Sequence, residues 1–153
     1  MNFDKDDANQ MKIAGLILDI GKIGIDEKIL NKAGILTDVE RKEIEKHPEI
    51  GWSVLSSTNE FSELAQFVLA HHERWDGGGY PNGLKGEEIP IEARIITVAD
   101  AYDAMTSERS YRNGVTKEEA IKELKRCSGT HFDPEIVEVF VNQVLTYNSD
   151  FGG

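Results

Sequence analysis

Helix-start signals recur along this chain and constrain its fold more than any other feature of the sequence. Thr37 and Thr116 are each followed three residues later by a glutamate, which is the pattern of a capping box. Asp133 precedes a proline, and this pair is typical of an N-cap followed by proline at the first helical position. Only residues 24–25 carry any strand signal. The sequence therefore predicts an all-α domain.

Apolar runs between these signals locate the helices. Residues 11–18 are almost wholly apolar, which predicts a buried helix. Further helices are predicted from Thr37 to a break at Pro48, from Pro48 onward, from 59 or 60 to 72, and at 90–105, 116–127 and 136–144. With 153 residues the chain is long enough for one domain with its own core. We expect that domain to cover residues 1–147 and a flexible tail to follow at 148–153.

Charge and composition exclude several classes of protein. The net charge of −11 argues against a long nucleic acid as ligand, because phosphate backbones bind broad basic surfaces. A small phosphate ester stays compatible with this charge if a few cations converge, and the acidity otherwise favours solubility. No apolar run approaches the roughly 20 residues of a membrane span, and the first residues lack the apolar core of a signal peptide. The single cysteine, Cys127, excludes an internal disulfide and fits a reducing compartment, so we expect a cytoplasmic protein.

Residues 71–81 place two histidines directly before a glycine-rich turn that a tyrosine and a proline close. Three consecutive glycines permit backbone conformations that other residues resist, so the turn can be shaped around a pocket. On a helix, His71 and His72 would point about 100° apart, and they could serve one metal between them or two neighbouring metals. A lone histidine is usually structural, but these two together with His47 before a proline favour a metal site.

Two aspartates, Asp19 and Asp100, interrupt apolar helical runs. A carboxylate buried alone in such a run is strongly unfavourable, so each needs a lysine, a backbone cap or a metal as its partner. The structural alternative is a cap or a salt bridge to a cation such as Lys22, Arg94 or Arg109. Imidazole and carboxylate ligands together suit iron, manganese, zinc or nickel, and the residues alone do not choose among these metals.

Five motifs, in order, resemble those of the HD-GYP family, a branch of the HD superfamily. They are residues 19–24, 47–51, 71–81, 99–107 and 109–112, and the resemblance runs from about residue 14 to residue 144. It implies an HD-domain-like helical bundle that is commonly fused to sensor or receiver modules. It also implies a phosphodiesterase that hydrolyses the bacterial second messenger cyclic di-GMP to pGpG and GMP, using two or three metal ions.

The resemblance assigns a metal-binding or catalytic role to several positions. The metal ligands that it implies are Asp19, as a bridge between metals, with His47, His71, His72 and Asp100. Lys22 matches the lysine beside the scissile phosphate. Asp19 and Lys22 are therefore the implied catalytic residues.

The resemblance also implies how the ligand is held. Lys22, Tyr80, Arg109 and Arg112 match substrate-binding residues, and the signature loop of the family matches Gly79, Tyr80 and Pro81. Guanidinium groups fit phosphate oxygens, which would allow an acidic chain to bind a dianionic dinucleotide. The alternative for the two arginines is a solvated side chain or an ion pair with Asp103 or Glu108.

The chain departs from the family pattern in two places. Leu18 occupies the position of the HD histidine, and a leucine cannot bind a metal. The family's earlier helix carries another ligand histidine, and no histidine precedes residue 11 here. With fewer ligands, the metals would activate water less and bind phosphate less tightly. We therefore predict at most one firmly bound metal and slow or absent hydrolysis. We expect iron or manganese before zinc or nickel. The alternative is a catalytically inactive module that binds cyclic di-GMP or docks a diguanylate cyclase domain.

The missing counterpart of the family's earlier helix has a second consequence. That helix covers apolar surface in the family, so the domain would be incomplete at its N-terminus and part of helix 11–18 would be exposed. Large exposed apolar patches usually recruit a partner. We therefore expect a homodimer, or coverage by an upstream segment such as part of a sensor or receiver domain.

Overall fold

Helices and helical turns provide the regular elements of this fold. The computed structural model describes residues 3–108 and 114–145. The α-helices are α1 (Lys5–Ile17), α2 (Glu27–Leu30), α3 (Asp38–Ile44), α4 (His47–Leu55), α5 (Ser62–Ala70), α6 (Ile91–Thr106), α7 (Lys117–Arg126) and α8 (Pro134–Val139). Short 3₁₀ turns cover Ile20–Gly24, Asn59–Phe61 and Gly86–Glu88, and a π-helical turn covers Phe140–Leu145. The all-α prediction is confirmed, and the strand signal at residues 24–25 was wrong because Gly24 ends a 3₁₀ turn.

The predicted helix starts are confirmed by their caps. At α3, Glu40 donates its backbone N–H to Thr37 Oγ1 at 3.3 Å, and Thr37 donates its backbone N–H to the Glu40 carboxylate at 2.7 Å. Thr116 caps α7 in the same way. At α8, Glu135 donates its backbone N–H to Asp133 Oδ1 at 2.9 Å. These caps involve residues within one helical turn, which is why the sequence predicts them.

The bounds of several predicted helices differ in the structure. The helix predicted at 11–18 begins earlier, at Lys5, and the helix predicted from Thr37 to Pro48 ends at Ile44. The helix predicted up to His72 is a 3₁₀ turn followed by α5, which ends at Ala70, so His71 is its C-cap. His71 and His72 therefore lie at and just beyond the C-terminal end of α5 rather than within the helix. The helix predicted at 136–144 starts two residues earlier as α8 and continues as the π-helical turn. The tail predicted at 148–153 lies outside the described residues.

The long helix α6 joins two groups of core residues. On one side, Ile96 packs with residues from the N-terminal half of the chain: Ala14, Leu18 and Leu64. On the other side, Val98 packs with residues from the C-terminal half: Leu124, Phe132, Ile136, Val137 and Val141. The helices α1, α4 and α5 thus lie together on one side of the fold, and α4 and α5 are the elements that carry the predicted metal-binding histidines.

Gly21 permits a close approach between the 3₁₀ turn Ile20–Gly24 and the start of α4. A Cβ added at Gly21 would lie 1.8 Å from the carbonyl oxygen of His47 and 2.6 Å from the backbone nitrogen of Gly51. Only glycine fits this spacing without moving the backbone. Because Asp19 directly precedes the turn, the close packing brings its carboxylate beside the first turn of α4.

The helix predicted at 11–18 was expected to be buried, and this is wrong for most of these residues. Ala14 is the one buried residue of α1, whereas Leu16 is 78% exposed. The expectation of a partly exposed apolar helix is confirmed. A cleft of about 380 Å³ lies between α1 and α6, with Met11, Leu18 and Ile95 in its lining. Among the described residues, no helix is both long enough and apolar enough to cross a membrane.

Candidate metal centre

Three imidazoles meet at one end of the packed pair of helices α4 and α5. His47 is the first residue of α4, His71 is the C-cap of α5, and His72 follows directly. One ligand nitrogen from each ring lies within 4.8 Å of the other two, and the Nε2 atoms of His47 and His71 are 3.2 Å apart. Two nitrogen ligands that are each about 2.1 Å from one ion lie roughly 3.0–3.4 Å apart, so the 3.2 Å between the His47 and His71 nitrogens fits a shared metal. The sequence prediction that these histidines converge is therefore matched by their positions.

Two of the rings are oriented by hydrogen bonds to the backbone. His47 Nδ1 donates to the carbonyl of Ile44 at 2.8 Å, and His71 Nδ1 donates to the carbonyl of Val68 at 2.5 Å. A carbonyl oxygen can only accept, so Nδ1 carries the proton in both neutral rings and Nε2 keeps its lone pair. Metal-binding histidines are commonly held in this way by a partner on the other ring nitrogen.

Burial keeps the three imidazoles neutral. Desolvation lowers the pKa of His71 to about 4 and, with the neighbouring imidazoles adding to the effect, lowers the pKa of His72 to about 3. Burial also lowers the pKa of His47. A neutral imidazole binds a metal without first losing a proton, so the group is prepared for a cation at neutral pH.

Asp19 and Lys22 form an ion pair at the edge of the histidine group. Asp19 Oδ2 lies 2.6 Å from Lys22 Nζ, and Asp19 Oδ1 lies 3.5 Å from His47 Nε2. The Asp19 side chain is 50% exposed, so the argument that this carboxylate is buried was wrong. The reason is local, since α1 ends at Ile17 and Asp19 stands at the start of an exposed turn. The salt bridge to Lys22, one of the alternatives from the sequence, is present beside the histidines.

Asp100 is not one of the converging ligands of the histidine group that the structure describes. It is exposed on α6, so its predicted burial was also wrong, and it lines the cleft between α1 and α6 together with Leu18. Among the described residues, the group of converging ligand atoms contains only His47, His71 and His72. Leu18 therefore shares a cleft with a predicted metal ligand.

The segment after the histidines forms a compact loop over His72. The Tyr80 ring stacks on the His72 ring with 4.8 Å between centroids and 28° between planes, and the peptide bond from Tyr80 to Pro81 is cis. Burial raises the pKa of the Tyr80 phenol to about 12, so it is neutral at pH 7. A Cβ added at Gly79 would lie 2.4 Å from the backbone nitrogen of Arg74, which explains the need for glycine there.

Glu73 is a residue of this site that the sequence interpretation did not single out. It is only 2% exposed, and its carboxylate accepts backbone N–H groups of Asn82 at 2.7 Å and Leu84 at 3.0 Å. Its position between two predicted ligands and a glycine-rich turn was the available signal. A charged residue there is buried because it satisfies donors of the loop.

Of the three arginines that the sequence interpretation named, the structure describes one. Arg94 pairs with Asp133 at 2.6 Å rather than with Asp19. Arg109 and Arg112 lie outside the described residues. The structure thus brings together four of the five predicted ligands, with Asp19 at the edge of the three histidines.

Comparison with known proteins finds one matching family and several similar proteins that are named as phosphodiesterases. Residues 1–136 match the protein family described as HD domain. A cyclic di-GMP phosphodiesterase of Thermotoga maritima is 48% identical over 134 residues, which cover 86% of this chain and 36% of the relative. The cyclic di-GMP phosphodiesterase response regulator RpfG of Xanthomonas campestris is 40% identical over 143 residues, which cover 92% of this chain and 38% of the relative. The 3'3'-cGAMP-specific phosphodiesterase 2 of Vibrio cholerae is 40% identical over 137 residues, which cover 88% of this chain and 26% of the relative.

A solved structure is similar over nearly the whole chain. The cyclic GMP-AMP specific phosphodiesterase V-cGAP3 of Vibrio cholerae superposes with a TM-score of 0.66 at 25% identity, covering 98% of this chain and 41% of that one. The predicted HD-domain-like bundle is thereby confirmed. The chain spans less than two fifths of the length of the three sequence relatives named above and 41% of the length of V-cGAP3.

Proposed function

Because this chain belongs to the HD domain family, within its HD-GYP branch, we propose that it is a metal-dependent phosphodiesterase of cyclic dinucleotide signalling. The observation that carries the proposal is the group of three neutral imidazoles beside the Asp19–Lys22 ion pair. Relatives named for cyclic di-GMP and for 3'3'-cGAMP support a cyclic dinucleotide as substrate. We propose cyclic di-GMP, hydrolysed to pGpG and GMP in the cytoplasm.

The metal would be held by His47, His71 and His72, with Asp19 as a further ligand from the edge. A divalent metal bound there would polarise a phosphoryl oxygen and lower the pKa of a water molecule. Lys22 places its ammonium group at the same edge, where it stabilises negative charge that develops on the phosphoryl oxygens. We propose iron or manganese ahead of zinc or nickel, since imidazoles and a carboxylate together suit these metals.

The remaining predicted residues complete the proposed substrate site. Asp100 would bind a metal from the cleft that it shares with Leu18. Tyr80 would contact the substrate from the signature loop, and Arg109 and Arg112 would hold its phosphates through guanidinium hydrogen bonds.

Incubation with cyclic di-GMP and Mn²⁺ or Fe²⁺, followed by chromatography for pGpG and GMP, tests this proposal. We expect slow product formation by the native chain and none by His71→Ala, which removes a buried ligand. His131→Ala is a matched control, because the His131 ring stacks on Phe132 outside the histidine group. Unchanged substrate with the native chain at every metal would contradict the proposed hydrolysis, and equal activity in His71→Ala would contradict the proposed centre.

A second function, binding without turnover, is favoured by Leu18. This leucine is 8% exposed and shares its cleft with Asp100, and the resemblance to the family implies a ligand histidine at its position. In this case the chain would bind cyclic di-GMP, or dock a diguanylate cyclase domain through residues 79–81, and release no product. Calorimetry that detects cyclic di-GMP binding in a sample that forms no pGpG would select this alternative over the enzyme.

The assembly of the chain is part of the proposal. The exposed side of α1 and its apolar cleft with α6 support either a homodimer or contact with an upstream sensor or receiver domain. Light scattering measures this directly. A stable monomer at all concentrations would argue against the homodimer.

A further inference from the structure

The three histidines of the proposed centre are held in different ways. His47 and His71 each donate Nδ1–H to a backbone carbonyl. For the imidazole of His72 the described part of the chain supplies no hydrogen-bond partner. Its ring instead lies against other rings: Tyr80 at 4.8 Å and 28°, His71 at 4.0 Å and 41°, and His47 at 4.9 Å and 81°. The orientation of His72 therefore depends on ring contacts.

Of these three contacts, only Tyr80 comes from outside the histidine group. Its ring is nearly parallel to the His72 ring, so it blocks rotation of the imidazole towards the loop. His47 and His71 are oriented in the usual way of metal-binding histidines, by a hydrogen bond from the ring nitrogen that does not face the metal. For His72, the stacked ring of Tyr80 provides this orientation instead.

The position of Tyr80 is itself fixed by the loop. Its backbone N–H donates to the carbonyl of His72 at 3.2 Å, which ties the tyrosine to the residue that it covers. The buried Glu73 carboxylate accepts the N–H groups of Asn82 and Leu84, just beyond the tyrosine. Gly79 lies so close to the backbone of residues 72–74 that a Cβ added there would be 2.4–2.6 Å from three of its atoms. The loop cannot withdraw the ring without breaking these bonds.

We propose that Tyr80 is a positioning residue for the metal ligand His72, and that Glu73 holds Tyr80 in place. This inference rests on the proposed metal centre and adds to it a role for the signature loop in metal binding. The aromatic ring carries this role, and the phenol hydroxyl does not. The loop that would meet the substrate is thereby coupled to the affinity for the metal.

Cobalt titration of the metal-free chain tests the proposal without any need for catalytic activity. Calorimetry gives the affinity for Co²⁺, and the visible absorption of bound Co²⁺ reports the ligand geometry. We expect Tyr80→Leu to weaken Co²⁺ binding by about 10–100-fold, as loss of an outer partner does, and Tyr80→Phe to stay within about twofold of the native chain. Tyr102→Leu is a matched control, because Tyr102 forms a ring contact with Phe140 in the C-terminal core.

Glu73→Gln tests the same coupling through the loop and serves if Tyr80→Leu does not fold. The amide keeps one acceptor and presents an NH₂ group to the other backbone donor, so the loop loosens. We expect weaker Co²⁺ binding together with faster hydrogen exchange at the Asn82 and Leu84 amides. Glu88→Gln is the control, because Glu88 also accepts a backbone N–H, from Lys85, but in an exposed turn.

The outcomes separate the two proposals. If Tyr80→Leu binds Co²⁺ with native affinity, the positioning role of Tyr80 is overturned while the proposed centre stands. The same holds if Glu73→Gln shows faster hydrogen exchange in the loop but native affinity for Co²⁺. Equal losses in Tyr80→Phe and Tyr80→Leu would overturn the assignment to the ring. A native chain that binds no Co²⁺ would overturn the proposed centre and, with it, this inference.

Discussion

Leu18 is the residue at which the chain departs from its family most directly. It is 8% exposed, lines the same cleft as Asp100 and directly precedes Asp19. We predict that Leu18→His adds a ligand there, so that metal content per chain and cyclic di-GMP hydrolysis both rise. Elemental analysis and chromatography measure the two effects, and Leu16→His is the control because Leu16 is 78% exposed. If Leu18→His changes neither quantity, this leucine is not the limiting defect.

Glu40 links helix α3 to the pH dependence of stability. Its carboxylate accepts from Lys32 Nζ at 2.6 Å and from the Thr37 N–H at 2.7 Å, and the lysine bond is the main cause that lowers its pKa from 4.5 to about 2. A pKa lowered by folding stabilises the fold above pH 4.5, and the effect is lost as the pH falls through about 2. We predict that Glu40→Gln removes this part of the acid sensitivity of unfolding.

Thermal unfolding between neutral pH and pH 2 measures the effect of Glu40. Glu49→Gln is a suitable control, because Glu49 is exposed in the first turn of α4 and has no hydrogen-bond or ion-pair partner in the described ranges. Parallel profiles for the native chain and Glu40→Gln would contradict the prediction.

At the scale of the elements, two glycines give opposite expectations for the same substitution. A Cβ at Gly15, within α1, would meet no atom within 4 Å, whereas a Cβ at Gly21 would lie 1.8 Å from the His47 carbonyl oxygen. We predict that Gly15→Ala stabilises the chain by about 0.5–1 kcal/mol, because alanine favours a helix. Gly21→Ala should destabilise it and weaken metal binding, since the turn must move away from His47. Urea unfolding checks both, and a stable Gly21→Ala with native metal affinity would contradict the role of this close approach.

The sequence predicted those elements whose ends depend on neighbouring residues. The caps at Thr37, Thr116 and Asp133 are local hydrogen bonds, and all three appear in the structure. The end of α5 at Ala70 and the exposure of Leu16 depend on which helices pack together, and the sequence pattern does not report this packing.

The sequence also predicted only part of the candidate site. The histidines were found because His71 and His72 are adjacent before a glycine-rich turn and His47 precedes a proline, a pattern that favours metal ligands over lone structural histidines. The burial expected for Asp19 and Asp100 was wrong because apolar neighbours in the sequence do not ensure burial in the fold. Glu73 was missed because its partners are the backbone N–H groups of Asn82 and Leu84, and its position before the glycine-rich turn does not identify these partners.

At the scale of the whole molecule, one buried ion pair joins the two sides of the fold. Arg94 on α6 and Asp133 at the start of α8 are 2.6 Å apart, with side chains 14% and 6% exposed. The Arg94 guanidinium also lies 5.7 Å from the centre of the Trp75 ring, in the segment that leads into the signature loop. The Trp75 backbone N–H in turn donates to the carbonyl of His131, close to the cap of α8. The pair therefore connects α6, α8 and the loop.

We predict that Arg94→Met lowers the free energy of unfolding by about 3–5 kcal/mol, because Asp133 is left as a buried charge without its partner. Adding Asp133→Asn should recover part of this loss, since asparagine removes the charge and still caps α8 through its side-chain oxygen. Urea unfolding of the native chain, the two single variants and the double variant separates the pair from its surroundings. A loss below about 1 kcal/mol for Arg94→Met would mean that water screens the pair as it does at an exposed surface. Additive effects of the two substitutions would show that Arg94 and Asp133 act independently, and the link between the two sides would then depend on the apolar contacts of α6.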